Sequence, residues 1–346
     1  MRREELPEVL RIGTRGSALA LAQTKLFTDR LRALCPSVCW EIVTIRTEGD
    51  RHPEQPLREF GGRGVFVTAI EDALRERRID CAVHSAKDMA ASLPDDMEIA
   101  CVLPREDPAD VLVTRGGAEL SALSVPGGAA EPSALRREPV AGEQAVTGEG
   151  AQEQGNGRIV IGTGSPRRKA QLCALFPEAV IAPVRGNLPT RLDKLRSGSF
   201  DALVLAAAGL RRIGLDQEPD LCYRVFTPQE MVPAGGQGII AVETGRQTFP
   251  FLRQLGDRMA GEELETERLL LRLLEAGCHE AIGVRAQLQE NGEEIRIDLM
   301  KELPDGIYRR SGRAPAAGGR ELAQRMAEEL LTYQREQNGK AQIRRQ

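Results

Sequence analysis

The chain has little of what most cofactor, metal and nucleic-acid sites are built from. Among 346 residues there are three histidines, one tryptophan and three tyrosines, and aromatics make up 3%. The seven cysteines, at 35, 39, 81, 101, 173, 222 and 278, are odd in number, scattered, and never spaced Cys-x-x-Cys. That pattern excludes a zinc ribbon or a disulfide framework and fits a reducing compartment. No phosphate-binding Walker loop and no serine elbow occurs, and Gly162-x-Gly164 lacks the third glycine of a dinucleotide fingerprint. No run of about 18 apolar residues is present to span a membrane. The opening Met-Arg-Arg-Glu-Glu-Leu-Pro has no apolar signal core, so a cytoplasmic location is expected. Net charge is only −4, which leaves no overall field to gather a polyanion. Any anion must be recognised by locally placed side chains.

What is present reads as alternating strands and helices. Val9–Ile12 is expected to form a strand and Gly13–Ser17 a turn. Ala18–Leu34 is expected to form a helix with apolar positions 19, 22, 26, 27, 31 and 34, capped by Ser17. A second copy of this design follows: strand Arg158–Ile161, turn from Gly162, cap Ser165, and Pro166 in the first helical turn. Both copies carry Ile-Gly-Thr, at 12–14 and 161–163, and both are followed by an Asp-led strand, at Asp80–Val83 and Asp201–Val204. Two similar α/β lobes with parallel sheets are implied, with ligand-facing turns after Ile12, Val83, Ile161 and Leu205.

Residues 116–157 are rich in glycine and alanine, carry six acidic and two basic side chains and no aromatic, and cannot bury enough apolar surface to order themselves. Gly235-Gly236-Gln237-Gly238 is expected to be a flexible crossing between lobes. Beyond Gly256 a helix at Glu262–Glu275 with Gly277 as its C-terminal cap, strands at Ile282–Leu288 and Ile295–Met300, and a helix at Glu321–Gln334 suggest a smaller third domain. Asn338–Gln346 is expected to fray. The domain boundaries expected are 1–103 with 236–253, then 109–229, then 258–346.

Arginines collect at the expected strand ends: Arg15, Arg167, Arg168, Arg185, Arg191, Arg211 and Arg212. Guanidinium forks bind carboxylates two bonds at a time, and helix N-termini add to the preference for anions, so a polycarboxylate ligand suits the set. Lys87 and Asp88 follow the Cys81–Val83 strand, where a carboxylate could exchange protons or stabilise a developing cation. Such a pair also serves as a local cap or ion pair, and His84 suits a structural role. Cys278 follows a helix C-terminus, whose dipole raises rather than lowers a thiol pKa, so it would react only with a strong electrophile. At this level an enzyme, a non-catalytic carboxylate-binding module and an arginine-rich RNA binder all stay open, the last disfavoured by the scarcity of aromatics.

The ordered set Gly13–Ser17, Gly61–Phe66, His84–Asp88, Arg105–Pro108, Ser165–Arg168, Arg185–Asn187, Thr190–Leu192, Ala208–Leu210, Pro233–Gly238 and Gly277-Cys278 resembles the porphobilinogen deaminase (hydroxymethylbilane synthase) family from about Leu10 to Gly283. The resemblance implies two periplasmic-binding-protein-like lobes plus a smaller C-terminal α/β domain, in a monomeric transferase of haem and porphyrin (tetrapyrrole) biosynthesis. It implies a dipyrromethane cofactor joined to Cys278 by a thioether, on which four porphobilinogen molecules are deaminated and linked head to tail before hydroxymethylbilane is released. Asp88, with Lys87, would be catalytic, stabilising the positive pyrrole and azafulvene nitrogens. Lys87, Asp88, Thr163, Ser165, Arg167, Arg168 and Arg191 would hold the cofactor, and Arg15, Ser17, Arg185, Arg191 and Arg212 the substrate. No metal, nucleic acid or membrane partner is implied. Departures from the family pattern fall at Gly16, Arg63, Gly164–Pro166, His279-Glu280-Ala281 and the insertion at 116–157.

Overall fold

The computed structural model describes residues 7–46, 68–116, 158–246, 249–277, 280–289 and 291–343. The expectations for residues 117–157, for Arg63, and for Cys278 and His279 lie outside them. The chain divides into one compact unit of residues 1–108 and 232–346 and a second of 109–231.

The first unit opens with β1 (Val9–Thr14), α1 (Ala18–Leu34), β2 (Cys39–Thr44), α2 (Thr68–Arg75), β3 (Cys81–Ser85) and β4 (Met97–Val102). The second holds β5 (Asp110–Arg115), β6 (Val160–Gly162), α3 (Pro166–Leu175), β7 (Val180–Ala182), α4 (Leu188–Arg196), β8 (Ala202–Ala206), α5 (Ala207–Arg212) and β9 (Leu221–Val225). The chain then returns to the first unit through β10 (Ile240–Gly245), α6 (Arg258–Leu273), β11 (Ile282–Leu288), β12 (Glu294–Leu303), β13 (Gly306–Pro315) and α7 (Gly319–Ile343).

Two five-stranded sheets share one plan, β2-β1-β3-β10-β4 and β7-β6-β8-β5-β9. In each, one strand, β1 or β6, pairs in parallel with both of its neighbours. In each, a crossing strand, β10 or β5, runs antiparallel to both of its neighbours. The sheets are thus mixed rather than purely parallel. A strand that arrives from the other unit needs no right-handed crossover helix, so nothing forces it parallel.

The two lobes also share the device that fixes register. Arg11 N–H donates to Asp80 Oδ2 at 2.8 Å and Asp80 N–H returns a bond to Arg11 O at 2.8 Å. In the second lobe Val160 N–H donates to Asp201 Oδ2 at 2.9 Å and Asp201 N–H returns to Val160 O at 3.0 Å. The next-but-one residues, Gly13 and Gly162, lie against Ile79 and against Leu203 and Phe200 so closely that a Cβ would come within 2.3 and 2.6 Å of them. Leu10, Ile12, Cys81 and Val83 pack with Phe27 and Leu31 of α1 in one apolar cluster. Each fully buried leucine or isoleucine here contributes about 1.5–3 kcal/mol.

Helix α1 runs as expected, with Ser17 capping Ala20 N–H at 3.2 Å. Its buried stripe, however, is Gln23, Thr24, Phe27, Thr28 and Leu31, while Leu26 and Leu34 are exposed. Gln23 and Thr24 of that stripe lie toward the helix N-terminus, and Gln23 lines the pocket described below.

The C-terminal part forms a three-stranded antiparallel sheet, β11-β12-β13, with α6 and α7 over one face and a separate apolar cluster. Strand β13 was not expected, and α7 continues past Asn338 to Ile343 instead of fraying. The cap of α6 is also revised. Glu275, not Gly277, takes the left-handed conformation, at φ 49°, while Glu275 N–H bonds Arg272 O and Ala276 N–H bonds Leu271 O. That is a complete Schellman closure ahead of Gly277.

The Gly235–Gly238 crossing is a buried, tightly packed turn, not a flexible one. Gly236 and Gly238 have φ of 75° and 89°, and a Cβ at 238 would lie 2.1 Å from Glu106 O. These glycines serve close approach, not mobility.

Candidate active site

On the first unit, β1 ends at Thr14 and α1 begins at Ala18, so Arg15 and Ser17 occupy a three-residue link at the sheet's carboxyl edge. Strand β3 ends beside it in a 3-10 turn, Ala86–Asp88. Arg15, Ser17, Leu19, Ala20 and Gln23 from one side and Val83, His84, Ser85 and Asp88 from the other line a single pocket. Asp88 is exposed and Lys87 half-buried on the same turn. The structure therefore brings Arg15, Ser17 and Asp88 together, as their strand-end positions imply.

Gln23 is a pocket residue that sequence reasoning missed. It is 3% exposed, donates from Nε2 to Ser85 Oγ at 2.8 Å and can accept back at Oε1 at 3.2 Å. The available signal was a glutamine and two threonines standing on the same helical face as Phe27 and Leu31. His84 also lines the pocket; it is buried, and its Nε2 lies 3.0 Å from Oε2 of the fully buried Glu243.

On the second unit, Ser165 caps α3 by accepting from Arg168 N–H at 3.4 Å, with Pro166 in the first turn. Arg167 and Arg168 therefore sit in that turn, and both are almost fully buried. Asp110, wholly buried at the start of β5, receives Arg167 Nη1 at 2.7 Å and Arg168 Nε at 3.0 Å, while Arg168 Nη1 donates to Val204 O at 2.8 Å. Burial, with Arg168 alongside, pulls the Arg167 guanidinium below its ordinary pKa in spite of Asp110. Both guanidinium groups thus share the buried carboxylate of Asp110. Thr163 is buried beside this turn and accepts from Ser165 N–H at 3.2 Å.

Arg185 and Arg191 flank the cap of α4. Gly186 has φ 110° and faces Thr190 so closely that a Cβ would lie 2.8 Å from Thr190 Cγ2. Asn187 caps the helix by accepting from Thr190 N–H at 3.0 Å, and Arg191 Nε donates to Gly186 O at 2.8 Å. Arg185 is exposed and Arg191 half-buried. Arg212 ends α5, where a cation also complements the helix dipole.

The description "Porphobilinogen deaminase, dipyromethane cofactor binding domain" belongs to a family model that matches residues 10–249. The chain is a member of the porphobilinogen deaminase family. The porphobilinogen deaminase of Roseiflexus sp. is 37% identical over 340 residues, covering 97% of this chain and 99% of its own length. That of Bacillus velezensis is 35% identical over 326 residues, covering 92% and 93%. A probable porphobilinogen deaminase of Archaeoglobus fulgidus is 38% identical over 299 residues, covering 86% and 89%. Among solved structures, the periplasmic VFT2 domain of Bordetella pertussis BvgS resembles the chain at 14% identity and a TM-score of 0.38, covering 72% of this chain and 85% of that one. Membership of the porphobilinogen deaminase family carries with it a dipyrromethane cofactor and transferase chemistry. Among the described residues, no helix is long and apolar enough to cross a membrane.

Proposed function

We propose that the chain is a hydroxymethylbilane synthase. It deaminates four porphobilinogen molecules, joins them head to tail and releases the linear tetrapyrrole by hydrolysis. The observation that carries this reading is the pocket uniting Asp88 with Arg15 and Ser17 at the carboxyl edge of the first sheet. It supplies an acceptor for positive charge next to groups that bind negative charge.

Asp88 assists the loss of ammonia, and its carboxylate faces the pyrrole nitrogen that has become positive. A fixed carboxylate at that nitrogen lowers the barrier because the charge develops only in the transition state. Arg15, Ser17, Arg185, Arg191 and Arg212 bind acetate and propionate groups of the substrate. Lys87, Asp88, Thr163, Ser165, Arg167, Arg168 and Arg191 hold the cofactor's carboxylates and nitrogens, and Cys278 anchors it through a thioether. When bound, the cofactor supplies the pyrrole carbon to which the first substrate unit is joined. Lys87 keeps the local field positive beside Asp88.

The domain division that accompanies this reading is 1–103 with 236–253, then 109–229, then 258–346. Three sheets with separate apolar clusters support it. The enzyme acts as a cytoplasmic monomer without nucleic-acid or membrane partners.

An intact-mass measurement after expression in a cell that makes porphobilinogen tests the attachment. The expected mass exceeds the bare polypeptide by one dipyrromethane, and Cys278→Ala returns it to the bare value. A bare mass in the unaltered chain, with no conversion of added porphobilinogen, overturns the reading.

A further inference from the structure

Helix α6 reaches the Lys87–Asp88 turn through a buried carboxylate. Glu267 is wholly buried in the middle of that helix. Its Oε1 accepts from Ala286 N–H at 2.7 Å and from Arg105 Nη1 at 2.7 Å. Its Oε2 accepts from Gly236 N–H at 2.6 Å. Gly236 in turn lies flat against the peptide that joins Ala86 to Lys87: a Cβ on it would come within 2.9 Å of both Ala86 C and Lys87 N. The same turn supplies Ile239 O, which receives Ala86 N–H at 3.0 Å, and Ile239 N–H closes on Gly236 O at 3.1 Å. Behind Gly236, Gly235 rests on Leu271 of α6, where a Cβ would lie 2.8 Å from Leu271 Cδ1.

The Ala86–Asp88 turn has left the sheet, and its own internal bond is Met89 N–H to Ala86 O at 3.2 Å. Its place is therefore set by what it touches, and the backbone it touches is held by Glu267. A buried carboxyl is a costly way to fill this site: burial pushes Glu267 up in pKa against the pull of Arg105, and an apolar side chain of similar volume is often as stable. What the carboxylate adds is a directed, charge-assisted bond that fixes one peptide. We propose that Glu267 is a positioning residue for Lys87 and Asp88, acting through Gly236.

This rests on the role given to Asp88 above, so the test has an arm that does not. Glu267→Gln turns one of the two acceptors into a donor facing a donor, and Gly236→Ala drives a methyl group into the Ala86–Lys87 peptide without altering any charge. Glu263→Gln is the control. Glu263 accepts from Arg105 Nη1 at 3.2 Å and from Leu288 N–H at 2.9 Å in the same cluster, but has no bond to Gly236. The cofactor-loaded proteins are compared for kcat and KM, and by hydrogen exchange at the Ala86 and Met89 amides.

The expected result is a loss in kcat of about ten- to a hundredfold for Glu267→Gln and Gly236→Ala, with KM changed little, as for a misplaced catalytic group. Both variants should exchange faster at Ala86 and Met89 while β12 stays protected. Glu263→Gln should lower the melting temperature and leave kcat and those two amides unchanged. Unchanged exchange and kcat in Gly236→Ala, an equal loss of kcat in Glu263→Gln, or failure of both test variants to fold would assign Glu267 to stability alone and overturn the proposal. Absence of porphobilinogen turnover in the unaltered protein would defeat the functional reading instead, and the exchange measurement would still judge the positioning.

Discussion

The carboxylate of Asp110 accepts from Arg168 Nε at 3.0 Å, and both residues are shut away from water. Arg167 shares the same carboxylate at 2.7 Å. Removing the negative charge of Asp110 leaves two guanidinium groups buried without the carboxylate they share. Asp110→Asn is therefore expected to destabilise the second unit by about 3–5 kcal/mol, the cost of breaking a buried ion pair from one side. Urea unfolding followed by the fluorescence of a probe on that unit would read it. A loss below about 1 kcal/mol would mean that the cluster is solvated or already neutralised.

Asp88 is exposed on its turn, so its replacement should not disturb packing. Asp88→Asn keeps volume and shape and removes the charge and the exchangeable proton. Turnover of porphobilinogen is expected to fall by about 10²–10⁴-fold, the range for loss of a positioned acid–base group, with the melting temperature unchanged. A rate within about threefold of the unaltered enzyme would take Asp88 out of the mechanism.

The repeat of Ile-Gly-Thr and of an Asp-led strand was legible in the sequence because it reports local requirements. The aspartate ties down the first strand's N–H, at Arg11 or Val160, and the glycine lets Ile79 or Leu203 approach. Caps at Ser17 and Ser165 were legible for the same reason. The crossing strands β5 and β10 were not, since each pairs with partners distant in the chain and carries no periodicity that marks its direction. Arg105 and Glu267 are 162 residues apart, and no local pattern announces their bond. Gln23 was hidden because apolar spacing was sought on α1, and its buried face is half polar. The Gly235–Gly238 turn was misread because glycine signals close packing and mobility with the same letter.

Glu230 closes the turn after β9. Its Oε2 accepts from Thr227 N–H at 2.8 Å and Thr227 Oγ1 at 3.1 Å, and its Oε1 from Arg224. Burial alone would raise its carboxyl pKa, but the Thr227 bonds and the Arg224 charge outweigh burial and hold it below the ordinary value. A depressed folded-state pKa contributes stability above the unfolded value, and that contribution is lost as pH falls through the folded one. Glu230→Gln should thus cost about 1 kcal/mol at pH 7 for this partly exposed group. The difference should shrink as pH drops below the usual carboxylate range. Melting temperatures of both proteins from pH 7 down to acid would show the curves converging, and a gap that widens on acidification would refute the assignment.

Helices α2 and α6 both end in Schellman closures that place a residue other than glycine in the left-handed region. These are Arg77 at φ 54° and Glu275 at φ 49°. In α2, Arg77 N–H bonds Leu74 O and Arg78 N–H bonds Ala73 O, the counterpart of the pair that closes α6. A residue with a Cβ pays about 1 kcal/mol there, while glycine enters freely and loses part of that gain to its more disordered unfolded chain. Glu275→Gly is expected to raise stability by about 0.5 kcal/mol or slightly more, and Arg77→Gly by a similar amount. The two sites lie on different helices without a shared partner, so the double substitution should add within about 0.5 kcal/mol. Denaturant midpoints at unchanged slope would establish both points. A destabilised Glu275→Gly would mean that the Glu275 side chain makes a contact worth more than the strain its backbone bears.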